Sequence, residues 1–496
     1  MKQKEPLSRK LTLGIFYLLS SSLFSLGINV ITVGFIARSF GVENFGLYSA
    51  IFSFVGLFQF LSDFGLNKSL LKSGSTDITK AQISFGNALF LKTVLIFPLL
   101  FLITFFGLLS GYREKEILIL ILFAVSLIFD GYGTIFSSIR RILGSFKLVS
   151  FFRILKTIIN LVIVIAALKL NNSVLSLAFA NMILNFVVFV ISLINTVFLL
   201  KPKLRLRLIR DFFGDSIIFS LNDFFLNIYG RLSTVLLSLF YDLHTVGIYG
   251  AAARFTKIAN LLPNQIKFAL LPTMYRILED RENEPEKGRA GEPQKEQKVF
   301  IILLKYMIIL STLLVIYIFF FSDFIIHAIF GRKYDLAIPL VKLFSFFIYF
   351  RFVETPFHLF YIGLNEHKKM VYLQGISSLV NLVLNLILIP VYSGAGACYA
   401  TIISEIIFAT TLIINGSKYL IWHWGQVFSM FLKPIICGLL SIGVLTVFLY
   451  KINIFVQLFS LTVIYTLLLF GLKVFDKMDK EFFLKIFNSR KIVENI

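Results

Sequence analysis

Residues 214–275, GDSIIFSLNDFFLNIYGRLSTVLLSLFYDLHTVGIYGAAARFTKIANLLPNQIKFALLPTMY, decide the fold. Two long apolar segments fold back across a turn at Tyr241 to Thr245, and each carries charge where a lipid-facing helix carries none. A helix puts Asp223, Asn227 and Arg231 on one face, and across the turn it does the same for Gly250, Arg254 and Lys257. With the turn at the membrane surface, Arg231 and Arg254 lie roughly 13 to 15 Å inside it at ~1.5 Å per residue. Both then sit near the middle of a ~30 Å hydrocarbon slab. A cation there costs about 2.5 to 3.5 kcal/mol even on lenient scales, so two at one depth imply a wet cavity or an anionic ligand. The pair reads as half of an anion-binding site.

Composition agrees with a membrane setting. Of 496 residues, 57% are hydrophobic and only 15% charged, too few charges to clothe a soluble surface. The chain is therefore an all-α polytopic membrane protein. Its net charge of +21 is spread over many short loops and not gathered on one domain, which excludes a nucleic-acid partner. Cys398 and Cys437 both lie in apolar segments and give no disulfide framework. The apolar run that follows the basic N-terminus is too long for a signal peptide and lacks a small-x-small site, so it is taken as the first span.

Spanning windows fall at about 13–36, 45–66, 84–110, 117–139, 150–168, 174–200, 214–240, 246–272, 300–330, 336–363, 371–391, 394–416, 431–450 and 454–475, which predicts fourteen transmembrane helices. Lys and Arg concentrate in alternate loops, and the positive-inside rule then places both termini in the cytoplasm. Part of the positive charge meets anionic headgroups there. Residues 201–213 alternate basic and apolar side chains and are expected to lie along the headgroups. The polar stretch 276–299 reads as a mobile cytoplasmic linker.

An internal repeat pairs Val42 to Ala50 with His244 to Ala251, and Ile159 to Ile163 with Leu384 to Leu388. Both matches set span n beside span n+6, as in parallel repeats about an axis along the membrane normal. The expected layout is a six-helix bundle over 1–200, the basic linker 201–213, a second six-helix bundle over 214–416, and two extra helices with a basic tail over 417–496. A cavity is expected between the bundles.

Four stretches carry a family resemblance: Phe35-Ile36-Ala37-Arg38 through Gly41-Val42-Glu43-Asn44-Phe45-Gly46-Leu47-Tyr48; Ser62-Asp63-Phe64-Gly65-Leu66; Val246 to Arg254 with Pro263 and Pro272; and Ile389 to Ala397 with Thr401 to Glu405. With these the chain resembles the polysaccharide or O-antigen flippases (Wzx-type) of the multidrug, oligosaccharidyl-lipid and polysaccharide (MOP) exporter superfamily. The resemblance covers nearly the whole chain. It implies two bundles around an inward cavity and transport of a polyprenyl-diphosphate-linked oligosaccharide across a bacterial cytoplasmic membrane. It also implies membrane lipids, and other polysaccharide-assembly proteins, as partners.

Within the spans, Arg351, Glu354 and His358 share a helical face interrupted by Pro356, and Arg351 is also near the midplane. Arg231, Arg254 and Arg351 suit a lipid diphosphate, because guanidinium forks grip phosphate oxygens bidentately. Lys257 and Asn227 extend that site, while Lys92 and Lys267 lie near span ends, where they can snorkel to the headgroups. The other assignment makes these ions structural, Arg231 bridging to Asp223 and Arg351 to Glu354. Asp63, Asp130, Asp223, Glu354, His358 and Glu405 are the candidates for charge pairing or for carrying a coupling H+ or Na+; no other cofactor is implied.

The expected mechanism is alternating access. Moving about two negative charges out of a cell that is negative inside is favoured by roughly 4 to 5 kcal/mol at 100 mV. A membrane glycosyltransferase, polymerase or ligase is the rival class, but the outer turns are short and no metal or phosphate-loop motif is present. A drug or cation exporter would call for an acidic cavity, against which the three Arg argue.

Overall fold

The computed structural model describes residues 7–74, 77–283, 295–363, 366–417, 424–449, 452–475 and 479. Among them the regular structure is helical throughout. The helices are α1 (Leu7–Leu57), α2 (Gln59–Asp63), α3 (Leu66–Gly74), α4 (Ile78–Leu109), α5 (Glu114–Ile142), α6 (Phe146–Leu170), α7 (Val174–Leu199), α8 (Ile209–Phe240), α9 (Leu243–Asn283), α10 (Lys295–Phe320), α11 (Ser322–Ile329), α12 (Ala337–Gly363), α13 (His367–Gly416), α14 (Trp424–Val444) and α15 (Ile454–Gly471). Nine helices among the described residues are long and apolar enough to cross a membrane. The outer surface is inverted relative to a soluble protein: Phe97, Phe101, Phe198 and Phe459 are 74%, 65%, 84% and 72% exposed. Only an apolar solvent tolerates that.

Two of the helices are longer than any bilayer and are broken by single residues. α1 bends at Gly41 (φ 71°) and α13 at Ser393 (φ 54°), between the windows read as separate spans. Polar groups are brought to the first bend. The Tyr334 hydroxyl donates to the carbonyls of Ala37 (2.9 Å) and Gly41 (3.1 Å). The Arg38 guanidinium donates to the carbonyls of His327, Ala328 and Ile329 at the end of α11. These donors pair carbonyls that the helix ends leave without an intrahelical partner.

Some boundaries differ from the sequence reading. The window 45–66 is not one continuous span, because the helix is interrupted on either side of the short α2, with Phe64 (φ 44°) and Gly65 (φ 69°) both left-handed. Hydropathy does not register the break, since Phe58 and Phe64 keep the window apolar. Of the linker 276–299, residues up to Asn283 continue α9 and those from Lys295 open α10; 284–294 lie outside the described residues. In the stretch 201–213, α8 already begins at Ile209. Residues before it form a strap pinned to α4 by Lys203 N–H to Gln82 O (2.9 Å) and Arg205 N–H to the Asn87 carboxamide oxygen (3.0 Å). The basic tail from 480 onward is also outside the described residues.

The chain divides into two compact units. The first comprises Met1–Ala252, Ile326–Ala337 and Gln374–Thr401; the second comprises Ala253–Ile325, Ile338–Leu373 and Ile402–Ile496. In the first, α5 packs on α7 and α1 on α6, and one core gathers Leu66, Phe85, Ile135, Phe136 and Phe212. In the second, Phe300, Leu304, Val353, Phe357 and Phe408 form one core, while Ile316, Cys437, Leu461 and Tyr465 form another with α14 and α15.

The two copies of the repeat meet inside the first unit. A Cβ on Gly46 would collide with the carbonyl oxygen of Leu243, and one on Gly247 would collide with that of Val42. The contact is reciprocal, backbone against backbone, and only glycine on each side permits it.

Candidate functional site

Arg231 is held in the first unit by the end of α1. Its Nη1 donates to the Phe52 carbonyl (3.2 Å) and its Nη2 to the Oε1 of Gln59 (3.0 Å), the first residue of α2. The guanidinium carbon lies 5.2 Å from the centre of the Phe52 ring, a cation–π arrangement. Gly56 leaves the room, since any Cβ there would occupy the guanidinium's place. The helix break thus has a role: it turns Gln59 toward the cation.

The guanidinium lines a cavity of about 310 Å³ built from α1, α2, α5, α6, α7 and α8. Carboxamides dominate its polar wall, contributed by Asn29, Gln59, Asn160, Asn181 and Asn185, with Phe52 and Phe123 as aromatic surface. Asp130 and Lys156 also line it and form an ion pair with each other. The cavity is therefore polar, close to charge-neutral on the α5–α6 side, and positive at Arg231.

Asp223 does not reach for Arg231 two turns away. It pairs with Lys68 of α3 at 2.6 Å, while Asn227 donates its carboxamide to the Asp223 carbonyl (2.8 Å). The structural bridge from Arg231 to Asp223 is thus replaced by Lys68–Asp223. Asp63, at the end of α2, accepts from Asn67, which also donates to Thr134 (2.7 Å). Lys92, expected to snorkel, is instead 2% exposed with its ammonium packed against Gly131 and 5.7 Å from the Tyr132 ring centre. α4 continues for fourteen residues before it, so the side chain has no short route to the surface.

Arg254, Lys257, Arg351, Glu354, His358 and Glu405 belong to the second unit. Arg254 is half-buried on α9 and Lys257 exposed. Arg351 is balanced by two acids: its Nη1 lies 2.8 Å from Glu354 Oε2 and 3.5 Å from Glu405 Oε1, and its Nε donates to Asn260 Oδ1 at 2.5 Å. Both glutamates are 1% exposed. A buried carboxylate persists only with a charge partner or a proton, and here two converge on one guanidinium. Glu354 Oε1 and His358 Nε2 are buried without a hydrogen-bond partner among the described residues. The His358 ring packs edge-on to Phe408 at 6.4 Å.

The sequence singles out Arg231, Arg254 and Arg351 but does not show their surroundings. The Glu354 partner was readable from its spacing; Glu405 comes from a different helix. The carboxamide wall was missed because each helix contributes only one or two amides. A lone Asn in mid-span is the one local signal.

Comparisons with known proteins fit this architecture. The family described as "Polysaccharide biosynthesis protein" matches residues 11–278. The chain is 25% identical over 482 residues to an uncharacterized membrane protein of Methanocaldococcus jannaschii, covering 87% of this chain and 89% of that one. It is 23% identical over 480 residues to the probable low-salt glycan biosynthesis flippase Agl15 of Haloferax volcanii, covering 90% and 93%. Among solved structures, the lipid II flippase MurJ in an inward closed conformation aligns with a TM-score of 0.72 at 17% identity, over 91% of this chain and 97% of that one. An inward-facing MATE family transporter of the MOP superfamily aligns with a TM-score of 0.63 at 14% identity, over 80% and 94%. These two likenesses are of fold. With the family match extending over more than half of its length, the chain belongs to the polysaccharide biosynthesis protein family and has the fold of the MOP superfamily.

Proposed function

We propose that the protein is a multi-pass transporter that flips a polyprenyl-diphosphate-linked oligosaccharide, an O-antigen or other surface-polysaccharide unit, from the inner to the outer leaflet of a cytoplasmic membrane. The observation that carries this reading is the first-unit cavity, which is lined by one guanidinium together with five carboxamides. Phosphate oxygens complement the former and sugar hydroxyls the latter. Relatives named as flippases of lipid II and of a glycan pathway support it.

On this reading the chain has fourteen spans with both termini cytoplasmic, works by alternating access, and transports without catalysing a bond change. Arg231 is the diphosphate contact, and we extend that assignment to Arg254 and Lys257. Arg351 is assigned to its two acids and not to the substrate, and Glu354 and Glu405 are the place where a coupling H+ or Na+ enters. The membrane potential favours export of the anionic headgroup in any case.

The test is flipping of a fluorescent polyprenyl-diphosphate oligosaccharide in proteoliposomes. Arg231→Ala is expected to lower the rate by about ten- to a hundredfold, the worth of one charge-assisted hydrogen bond at about 1.5 to 3 kcal/mol, and Arg231→Lys to recover part of it. Undiminished flipping by Arg231→Ala at normal expression would overturn the assignment.

A further inference from the structure

The cavity that Arg231 lines has hydrogen-bonding capacity that a diphosphate does not use. Asn29 and Asn160 line the cavity and make no side-chain hydrogen bond among the described residues. Asn185 donates to Ser126 (2.7 Å), yet its Oδ1 is buried and has no partner among the described residues. Asn181 donates to the Leu177 carbonyl (3.0 Å), which leaves its own oxygen uncommitted. Each carboxamide offers two donors and an acceptor with two lone pairs, the complement of a ring bearing vicinal hydroxyls. A buried amide oxygen left without a donor is unfavourable, so a ligand hydroxyl that supplies one is bound by what it relieves.

Charge narrows the ligand further. Lys156 is held by Asp130 in the same wall, so its ammonium is already matched. The remaining cation lining the cavity is Arg231, and on the reading above the diphosphate takes it. A sugar carboxylate placed here would face the Asp130 carboxylate with no unmatched cation beside it. We propose that Asn29, Asn160, Asn181 and Asn185 form a saccharide subsite that accepts an uncharged sugar next to the diphosphate and discriminates against an acidic one. This rests on the assignment of Arg231 to the diphosphate.

The experiment uses the full chain in nanodiscs and measures affinity for three probes: bare polyprenyl diphosphate, its glucose derivative and its glucuronic acid derivative. Glucose and glucuronic acid differ only in the oxidation of C6, so they isolate the charge. The subsite predicts that glucose tightens binding relative to the bare carrier and that glucuronic acid does not. Asn160→Ala and Asn29→Ala should each reduce the ratio of glucose-carrier to bare-carrier affinity about fivefold, one neutral hydrogen bond's worth. The ratio is internal to each variant, so a loss of folded protein cancels. Equal or tighter binding of the glucuronic acid derivative, or a ratio that survives both substitutions, would sink the subsite. Binding of the bare carrier with no gain from glucose overturns the subsite alone, whereas failure of the wild type to bind the bare carrier overturns the diphosphate assignment and the subsite with it.

Discussion

Arg231 and Arg351 are both cations in apolar helices, and their neighbours give them opposite characters. Arg231 leans on a carbonyl, a carboxamide and an aromatic face. Arg351 sits between two carboxylates that are themselves shut away from solvent. Arg351→Ala is therefore expected to destabilise the protein by about 3 to 5 kcal/mol, because it removes the guanidinium that two buried acids share. Pairing it with Glu354→Gln should restore part of that loss. A thermal-unfolding cycle over the two single variants and the double checks this, and strict additivity would contradict it. Gly56→Ala addresses the other arginine. The new methyl takes the guanidinium's place, and the flexible side chain swings aside with little loss of stability. Transport should fall toward the level of Arg231→Ala while the melting temperature stays close to wild type, in the same proteoliposome and unfolding assays.

The helices themselves are stabilised by contacts that hydropathy does not see. Gly46 and Gly247 let α1 and α9 approach until backbone meets backbone. Gly46→Ala or Gly247→Ala should cost about 1 to 3 kcal/mol through overpacking against a rigid carbonyl. Gly27→Ala is the control: nothing lies within 4 Å of its added methyl, so it should be neutral or gain about 0.5 to 1 kcal/mol from helix propensity. Unfolding of the three variants in detergent separates them. At this level the sequence was informative wherever one element carried its own signal. Long apolar runs announced helices, and a cation within one announced Arg231. It was silent where the signal is shared. The partner of Asp223 proved to be Lys68, 155 residues away, and Glu405 joins Arg351 from 54 residues away. The breaks at Phe58 and at Phe64–Gly65, either side of α2, hid because aromatic residues keep hydropathy high through them.

For the whole molecule, the distribution of charge over the loops makes a sharp claim about orientation. Lys147 and Arg207 should face the cytoplasm, while Asn171 and Lys333 should face outward. All four are exposed, so single cysteines there are accessible to a membrane-impermeant thiol reagent on intact cells. The native Cys398 and Cys437 are buried and free, and give little background. Labelling confined to Asn171→Cys and Lys333→Cys is the expected pattern; the reverse pattern would invert the topology and with it the direction of transport. The family could be read from short stretches because they lie at bends and crossings, where backbone geometry limits the choice of side chain. The carboxamide wall could not, since it exists only once four helices are assembled around it.

The glycine crossing has a historical consequence. Val42 to Ala50 and His244 to Ala251 look like descendants of one ancestral segment, and each copy now serves as the steric template for its sibling. Neither can drift at this position, because a methyl on either one strikes the main chain of the other and no change in the sibling's side chain can make room. A trace of the duplication is thus kept legible by the contact between the two copies themselves.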